Sequence, residues 1–517
     1  MYCAAYTGTV GGLEAYLVQV EVDISPGLPS FTIVGYPASQ VMEAKERVRT
    51  AMRGLAVGFP SGRVTVNLSP GTLRKQGTGF DLPVLAAMLG ALGSVKQEKL
   101  KEYLMIGEVH LDGAVTGVQG ILPILQAGLA RGLTKAIIPQ DNAAEAACLP
   151  GIAYIPICHV RELLLGLQQE EERIYKAETE YTRKPLPFPQ RYAAIYGQVQ
   201  AKRAAATAVA GCHPMLMVGS PGSGKTMLAE SMQELLPSLN REEMLEVLAI
   251  QSISGRVEER LISEGRPSFF NPHYHITVQG LIGGGVNPVP GVLSLAHRGI
   301  LFLDELTEYR REVLEALRVP LEAKQVVISR LRKQFCFPAQ TLVVAAMNPC
   351  QCGHYPDFER CTCTATEINR YLHKLSWPLL ERMDICVDMR PVKQEELWQS
   401  FQSAEEKRQR QQIIKVVKGI ELAKQIQMER YRGTAYGSNA ALDSPGVRRF
   451  CSCTGAAERL LEKLFVRWQL SVRQYNSLLR VARTVADMQG RQQIEEDDIK
   501  EAAYDRSITK GYWGKNM

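Results

Sequence analysis

"LMVGSPGSGKTMLAE", Leu216 to Glu230, is the stretch that decides the fold. A short apolar strand runs into Gly219, Ser220, Pro221, Gly222, Ser223, Gly224, Lys225 and Thr226, and a helical pattern follows. Glycines let successive backbone N–H groups close around phosphate oxygens, and the helix N-terminus behind them adds partial positive charge. At this spacing Lys225 is expected to reach the β- and γ-phosphates of ATP, and the Thr226 hydroxyl to ligate Mg²⁺. A glycine-rich loop that binds nothing is the alternative. A strand before it and a helix after it speak for the phosphate site.

Further along, "RGILFLDEL" (Arg298 to Leu306) is a buried-strand pattern ending in two acids. Ligands of α/β sheets gather at the C-terminal ends of strands. There Asp304 would orient the Mg²⁺ shell and Glu305 would polarise the attacking water. The two acids could instead cap a helix beginning near Thr307, since acids favour helix N-termini; beside a phosphate loop that reading is the weaker one. A third apolar strand, "TLVVAAMNP", ends in Asn348, whose amide could hold the lytic water or sense the γ-phosphate. Asn-Pro also starts turns, and both readings can hold at once. In "LSWPLLERMDICVDM", Arg382 could stabilise charge on a neighbouring subunit's phosphoryl group. A local pairing with Glu381 or Asp384 is the plainer reading.

Straight after Asn348, four cysteines fall within fourteen residues: Cys350, Cys352, Cys361 and Cys363. Two Cys-x-Cys arms offer four thiolates, the number that suits tetrahedral Zn²⁺ in a structural role. His354 is a spare ligand candidate, although Gly-His-Tyr-Pro also reads as a turn. Four free thiols on the surface of a reduced protein would be open to oxidation, which favours the metal. Such a knuckle would brace the strand that carries Asn348. The other eight of the twelve cysteines are scattered and read as small buried hydrophobes, so this is no disulfide scaffold.

The 517 residues, 45% hydrophobic, suffice for about three domains. No apolar run approaches the roughly 20 residues of a membrane helix, and the N-terminus lacks a signal-peptide pattern. A cytoplasmic protein without membrane partners is expected. Net charge is +6, too mild to establish a nucleic-acid partner. Residues 391–517 hold 22 Lys/Arg against 16 Asp/Glu, so the excess sits in the C-terminal quarter.

Residues 1–165 alternate strand and helix patterns as an α/β domain does; "RVTVNLSP" and "KAIIPQDN" read as strands and "FDLPVLAAMLGALG" as an amphipathic helix. Residues 166–190 are charged and then proline-bearing, a linker. Residues 191–392 form the nucleotide-binding core with the cysteine knuckle at 350–363, and 393–517 are mainly helical. Two inserts interrupt the core. "ITVQGLIGGGVNPVPG" (Ile276 to Gly291) reads as a mobile loop, and "AKQVVISRLRKQFCFPA" as a hairpin with Arg330, Arg332 and Lys333 near its tip. In a ring these cations could meet the phosphates of DNA in the pore; a solvated polar hairpin is the alternative.

Taken together, "YGQVQAKRAAATAVAGCHPMLMVGSPGSGKT", "NPHYHITVQGLIGGGVNPVPGVLSLAHRGILFLDEL", "VVISR", "MNPCQCG" and "WPLLERMD" resemble the magnesium-chelatase-like AAA+ ATPases of the YifB/ComM group, over essentially the whole chain. The resemblance implies an α/β fold in three parts: a Lon-protease-like (S5-type) front domain, a P-loop AAA+ core and a C-terminal helical lid. It also implies a homo-oligomeric ring, usually a hexamer, with ATP at subunit interfaces, Arg382 acting in trans and Arg473 as a second sensor from the lid. ComM-type members are DNA motors driving branch migration in natural transformation, so a helicase-like activity on single-stranded or branched DNA is implied. A chelatase-like ATPase and a nucleotide-switched scaffold for a protein partner are the competing readings. Phe270, Tyr274 and Ser376-Trp377-Pro378 depart from the family's usual residues, away from the phosphate site. In the front domain, Gly79 stands nearest the nucleophilic Ser of a Lon protease and Leu122 nearest its Lys. A Ser-Lys dyad needs a hydroxyl beside a desolvated amine, so the front domain is expected to be non-proteolytic.

Overall fold

In the strand Arg63–Ser69 every second side chain (Val64, Val66, Leu68) is buried, the period-two pattern of a sheet with one packed face. The computed structural model describes residues 1–55, 57–168, 174–176, 185–330, 333–391 and 403–513. Much of the expected linker, and Arg332 in the hairpin, lie outside the described residues.

The front half is built on an eight-stranded mixed sheet. Its centre is the long antiparallel pair Tyr2–Gly11 and Glu14–Ser25, followed outward by Arg63–Ser69 and Ser30–Val34. On the other side lie Tyr103–Met105, Lys135–Pro139 and Ala153–Ile157, with Tyr175–Lys176 at the edge. "RVTVNLSP" and "KAIIPQDN" are strands as expected. The helix Asp81–Ala91 is not amphipathic, however: every one of its residues is buried. Apolar side chains point all round it because it lies between the sheet and the helix Ser39–Arg53. Its one charge, Asp81, is fully buried and accepts two hydrogen bonds from Arg47, at 2.6 and 3.0 Å, and one from the Val109 N–H. Burial pushes the Asp81 carboxyl above its ordinary range, while Arg47 pulls the other way.

The second half carries a five-stranded parallel sheet in the order Phe269–Phe270, Ile300–Leu303, Leu342–Met347, Met215–Gly219, Ile385–Met389. Every residue of the three central strands is buried, so they read as unbroken apolar runs rather than alternating ones. The helices Ser403–Arg430, Gly455–Trp468, Val472–Met488 and Glu496–Trp513 follow, and their apolar residues join those of Val199–Gly211 in one core.

Two features tie these parts together. The helix Arg241–Ser254, started by a capping box between Asn240 and Glu243, belongs to the ATPase half but buries Met244, Val247 and Leu248 among Leu104, Ile121 and Leu125 of the front domain. Gly120 N–H donates to the Ser252 carbonyl at 2.9 Å across the same seam. At the lid, the fully buried His213 hydrogen-bonds Asp384 (3.0 Å) and Thr484 (2.7 Å), and Asp384 also accepts from Ser477 and Arg480. Burial opposes the charge on Asp384, but Arg480 and His213 outweigh it and hold the carboxyl far below its ordinary range. Among the described residues, no helix is long and apolar enough to cross a membrane.

Candidate nucleotide site and cysteine knuckle

Met215–Gly219 ends at the phosphate loop, and the helix Lys225–Ser231 begins as the loop closes. Gly222 and Gly224 sit at φ 76° and 89°, the left-handed region that glycine enters freely. Gly219 has no room for a side chain: a Cβ there would stand 2.3 Å from the Met389 carbonyl oxygen.

The expected residues meet. Lys225 Nζ donates to the carbonyls of Gly219 (2.8 Å) and Ser220 (3.0 Å) and to Asn348 Oδ1 (3.2 Å). Burial lowers the Lys225 ammonium's pKa, and Asp304 and Glu305 oppose that shift. Thr226 Oγ1 donates to Asp304 Oδ2 at 2.9 Å. The acids do not cap a helix at Thr307. A single 3-10 turn, Leu306–Glu308, follows them, and the α-helix starts only at Arg311. Glu305 itself takes a left-handed φ of 50°, a strained conformation for a non-glycine residue, with its N–H on Asp304 Oδ1 at 2.9 Å. Its carboxylate is left exposed at the end of the strand.

These residues fit ATP and Mg²⁺. The hydroxyls of Ser220 and Ser223 are buried and have no hydrogen-bond partner among the described residues, so the loop holds polar groups that a phosphate would satisfy. Thr226 and Asp304 present two oxygens to a hard cation. Bound there, Mg²⁺ would neutralise charge on the phosphates. Lys225 ties the loop to Asn348, and the exposed Glu305 carboxylate follows Asp304 at the end of the same strand.

Arg382 and Arg473 lie elsewhere. Arg382 donates to the carbonyls of Arg318 and Pro378 and to Glu322 (2.7 Å), not to Glu381 or Asp384. Glu381 instead accepts from Ser471, and Asp384 is used by the His213 network. Arg473 also pairs with Glu322. One carboxylate therefore holds both arginines, a convergence that their spacing in the chain gave no means of seeing.

The four cysteines do converge: the sulfurs of Cys350, Cys352, Cys361 and Cys363 all lie within 4.8 Å of one another. Cys350 to Cys352 is 3.3 Å, Cys352 to Cys361 3.6 Å and Cys350 to Cys361 3.8 Å. Tetrahedral Zn–S bonds of about 2.3 Å put sulfurs about 3.8 Å apart, so the donor set fits zinc. Backbone N–H groups turn toward the cluster: Tyr355 N–H donates to Cys350 Sγ. Burial alone would raise the Cys352 thiol, yet the N–H groups of His354 and Thr362 and the Cys350 thiol bring it down to about 5. Burial and the neighbouring sulfurs push Cys361 up to about 12. His354 is not part of the group.

Two contacts that the sequence did not reveal join knuckle and nucleotide site. Gly353, at φ 84°, lies directly on the phosphate loop, where a Cβ would meet Pro221 Cδ at 2.4 Å. Past Cys363 the helix Ala365–Leu372 starts from a capping box and delivers Tyr371 to the site. Its hydroxyl accepts from Thr307 Oγ1 at 2.7 Å and from the Asn348 N–H, joining the segment after the acidic strand to the end of the strand Leu342–Met347. A glycine after Cys-x-Cys was a visible hint of close approach; nothing marked Tyr371.

A phosphate loop on a parallel sheet, with an Asp-Glu pair on the next strand but one and an asparagine on the strand between them, defines a P-loop ATPase of the AAA+ class. Three family descriptions match in chain order: "Subunit ChlI of Mg-chelatase" over residues 20–142, "Magnesium chelatase, subunit ChlI" over 191–397 and its C-terminal part over 411–506. The chain is 35% identical over 505 residues to "Uncharacterized protein YifB" of Escherichia coli, covering 98% of this chain and 97% of that protein. It is 36% identical over 513 residues to "Competence protein ComM" of Haemophilus influenzae, again 98% and 97%. The chain belongs to the YifB/ComM family of magnesium-chelatase-like AAA+ ATPases. A further likeness, 25% identity over 160 residues to a Lon protease of Brucella suis, covers 29% of this chain and 20% of that protein. Gly79 and the fully buried Leu122, which the sequence reading set nearest a Lon protease's Ser and Lys, are neither a nucleophile nor a base.

Proposed function

We propose that the chain is an ATP-driven ring motor, a hexamer, that acts on single-stranded or branched DNA in recombination or natural transformation. One observation carries the reading. The antiparallel hairpin Gln325–Pro338, with Arg330 opposite Lys333 near its tip, lies in the chain between the strand that ends at Asp304-Glu305 and the strand that ends at Asn348. A change at the γ-phosphate is thus felt at both roots of a basic projection. The loop before it is less open than expected: it forms the helix Val278–Ile282 and a short ladder of Gly283–Gly284 with Val289–Pro290. Arg330 donates to its Gly285 carbonyl at 2.7 Å, which ties the two projections to each other. In a ring, Arg382 would leave Glu322 to complete a neighbour's pocket, with Arg473 as the lid's sensor.

The test is ATP turnover with and without single-stranded and forked DNA at low salt. Stimulation by DNA is the expected result. No stimulation and no DNA binding would point instead to a scaffold for a protein partner.

The knuckle is proposed to hold one structural Zn²⁺, which keeps Gly353 against Pro221 and Tyr371 under Asn348. Protein purified without added metal is expected to contain about one zinc per chain. Stripping it with a chelator is expected to weaken nucleotide binding before the fold melts. A metal-free preparation with normal nucleotide affinity sinks the zinc assignment.

A further inference from the structure

A cavity of about 1670 Å³ opens between the front domain and the two insertions of the ATPase half. Small-molecule pockets usually measure about 300–1,000 Å³, so this one is sized for a segment of polymer. Gly79, the residue nearest the nucleophile position of a Lon protease in the sequence reading, lies in its wall.

The mouth of the cavity is furnished unusually. Tyr36 lines it with 59% of its surface exposed, and its backbone is held at φ 62°. Glycine would make that turn without strain; a tyrosine there points to a use for the ring. The turn is pinned by a fully buried lysine. Lys75 donates through Nζ to the carbonyls of Gly35 (2.7 Å) and Pro70, and its backbone N–H donates to the Tyr36 carbonyl at 3.1 Å. The same cavity is lined by Arg74 from the front domain and Arg330 and Lys333 from the hairpin; Glu108 is the one carboxylate residue in the described lining. Lys333 lies 4.7 Å from the centroid of the Tyr16 ring, another wall residue.

An exposed aromatic ring in a cavity lined by cations suits a single strand of nucleic acid: a base can stack, and phosphates meet positive charge. Three cations against one carboxylate favour a polyanion over an unfolded polypeptide of mixed charge. We propose that this cavity is a single-stranded nucleic-acid site, with Tyr36 as the stacking platform and Arg74, Arg330 and Lys333 as phosphate contacts. The proposal rests on the DNA-motor reading and adds the place where the strand sits. The front domain is then a wall of the DNA path rather than a passive appendage.

Fluorescein-labelled dT20 and the full-length chain, titrated by anisotropy with ATP present, provide the test. Tyr36→Gly, which suits the backbone and so is expected to fold, should weaken binding roughly tenfold, and Tyr36→Phe should restore it. Arg74→Glu should weaken binding and flatten the salt dependence, whereas Arg131→Glu, outside the cavity, should bind as the unmodified chain does. If the unmodified chain binds dT20 and Tyr36→Gly and Arg74→Glu bind it equally well, the cavity proposal is overturned and the motor reading stands. If the unmodified chain does not bind dT20, the cavity proposal is overturned, and the motor reading falls with it only if forked DNA is not bound either. Loss of fluorescent-casein binding in Tyr36→Gly, with dT20 binding intact, would reassign the cavity to unfolded polypeptide.

Discussion

Replacing Arg382 by alanine is expected to slow ATP turnover by about 10³–10⁵-fold, the range measured for arginine fingers, with ATP affinity changed little. Within one chain the Arg382 guanidinium is held by the Arg318 carbonyl and Glu322, and none of its hydrogen bonds leads to the phosphate loop. A catalytic use of it would therefore require a second copy. Mixing makes that requirement visible. Lys225→Ala subunits keep the finger but lose their own phosphate anchor, and Arg382→Ala subunits keep the pocket but lose the finger. Neither should turn over alone, and a mixture should regain part of the activity at seams where an intact finger faces an intact pocket. A loss of less than tenfold, or mixtures as inert as their parts, would refute a role in trans.

Glu305→Gln is expected to lower phosphate release by about 10²–10⁴-fold, the usual contribution of a positioned general base. The amide fills the same space but cannot take a proton. The groups that would grip ATP and its metal are untouched, because Lys225 is tied to Gly219, Ser220 and Asn348 and Thr226 to Asp304. Binding of a fluorescent ATP analogue should therefore persist in a chain that no longer hydrolyses ATP. Near-normal turnover would remove Glu305 from the role of base, whatever became of Arg382.

What was legible in the sequence was what is local. Gly219 to Thr226, Asp304-Glu305 and Asn348 each close an apolar strand, and parallel strands bring their C-terminal ends to one edge, so finding the strands was enough to gather the site. The cysteine knuckle and the hairpin were legible for the same reason: each is one short piece of chain folded on itself. What escaped depends on distant segments meeting. Glu322 lies on a helix turn with no motif, yet takes both Arg382 and Arg473. Tyr371 looks like one more apolar-face residue until Thr307 and Asn348 close on its hydroxyl. The stretch "FDLPVLAAMLGALG" read as an amphipathic helix, yet Asp81–Ala91 is buried all round, and only Arg47, thirty-four residues earlier in the chain than Asp81, explains how its one charge is buried.

The apolar seam beneath Arg241–Ser254 has a mechanical consequence. That helix lies in the chain between the phosphate-loop helix and the acidic strand, yet its buried face is mortared into the N-terminal sheet. Any shift of that helix as the nucleotide site changes would therefore have to carry the front domain with it or open the seam.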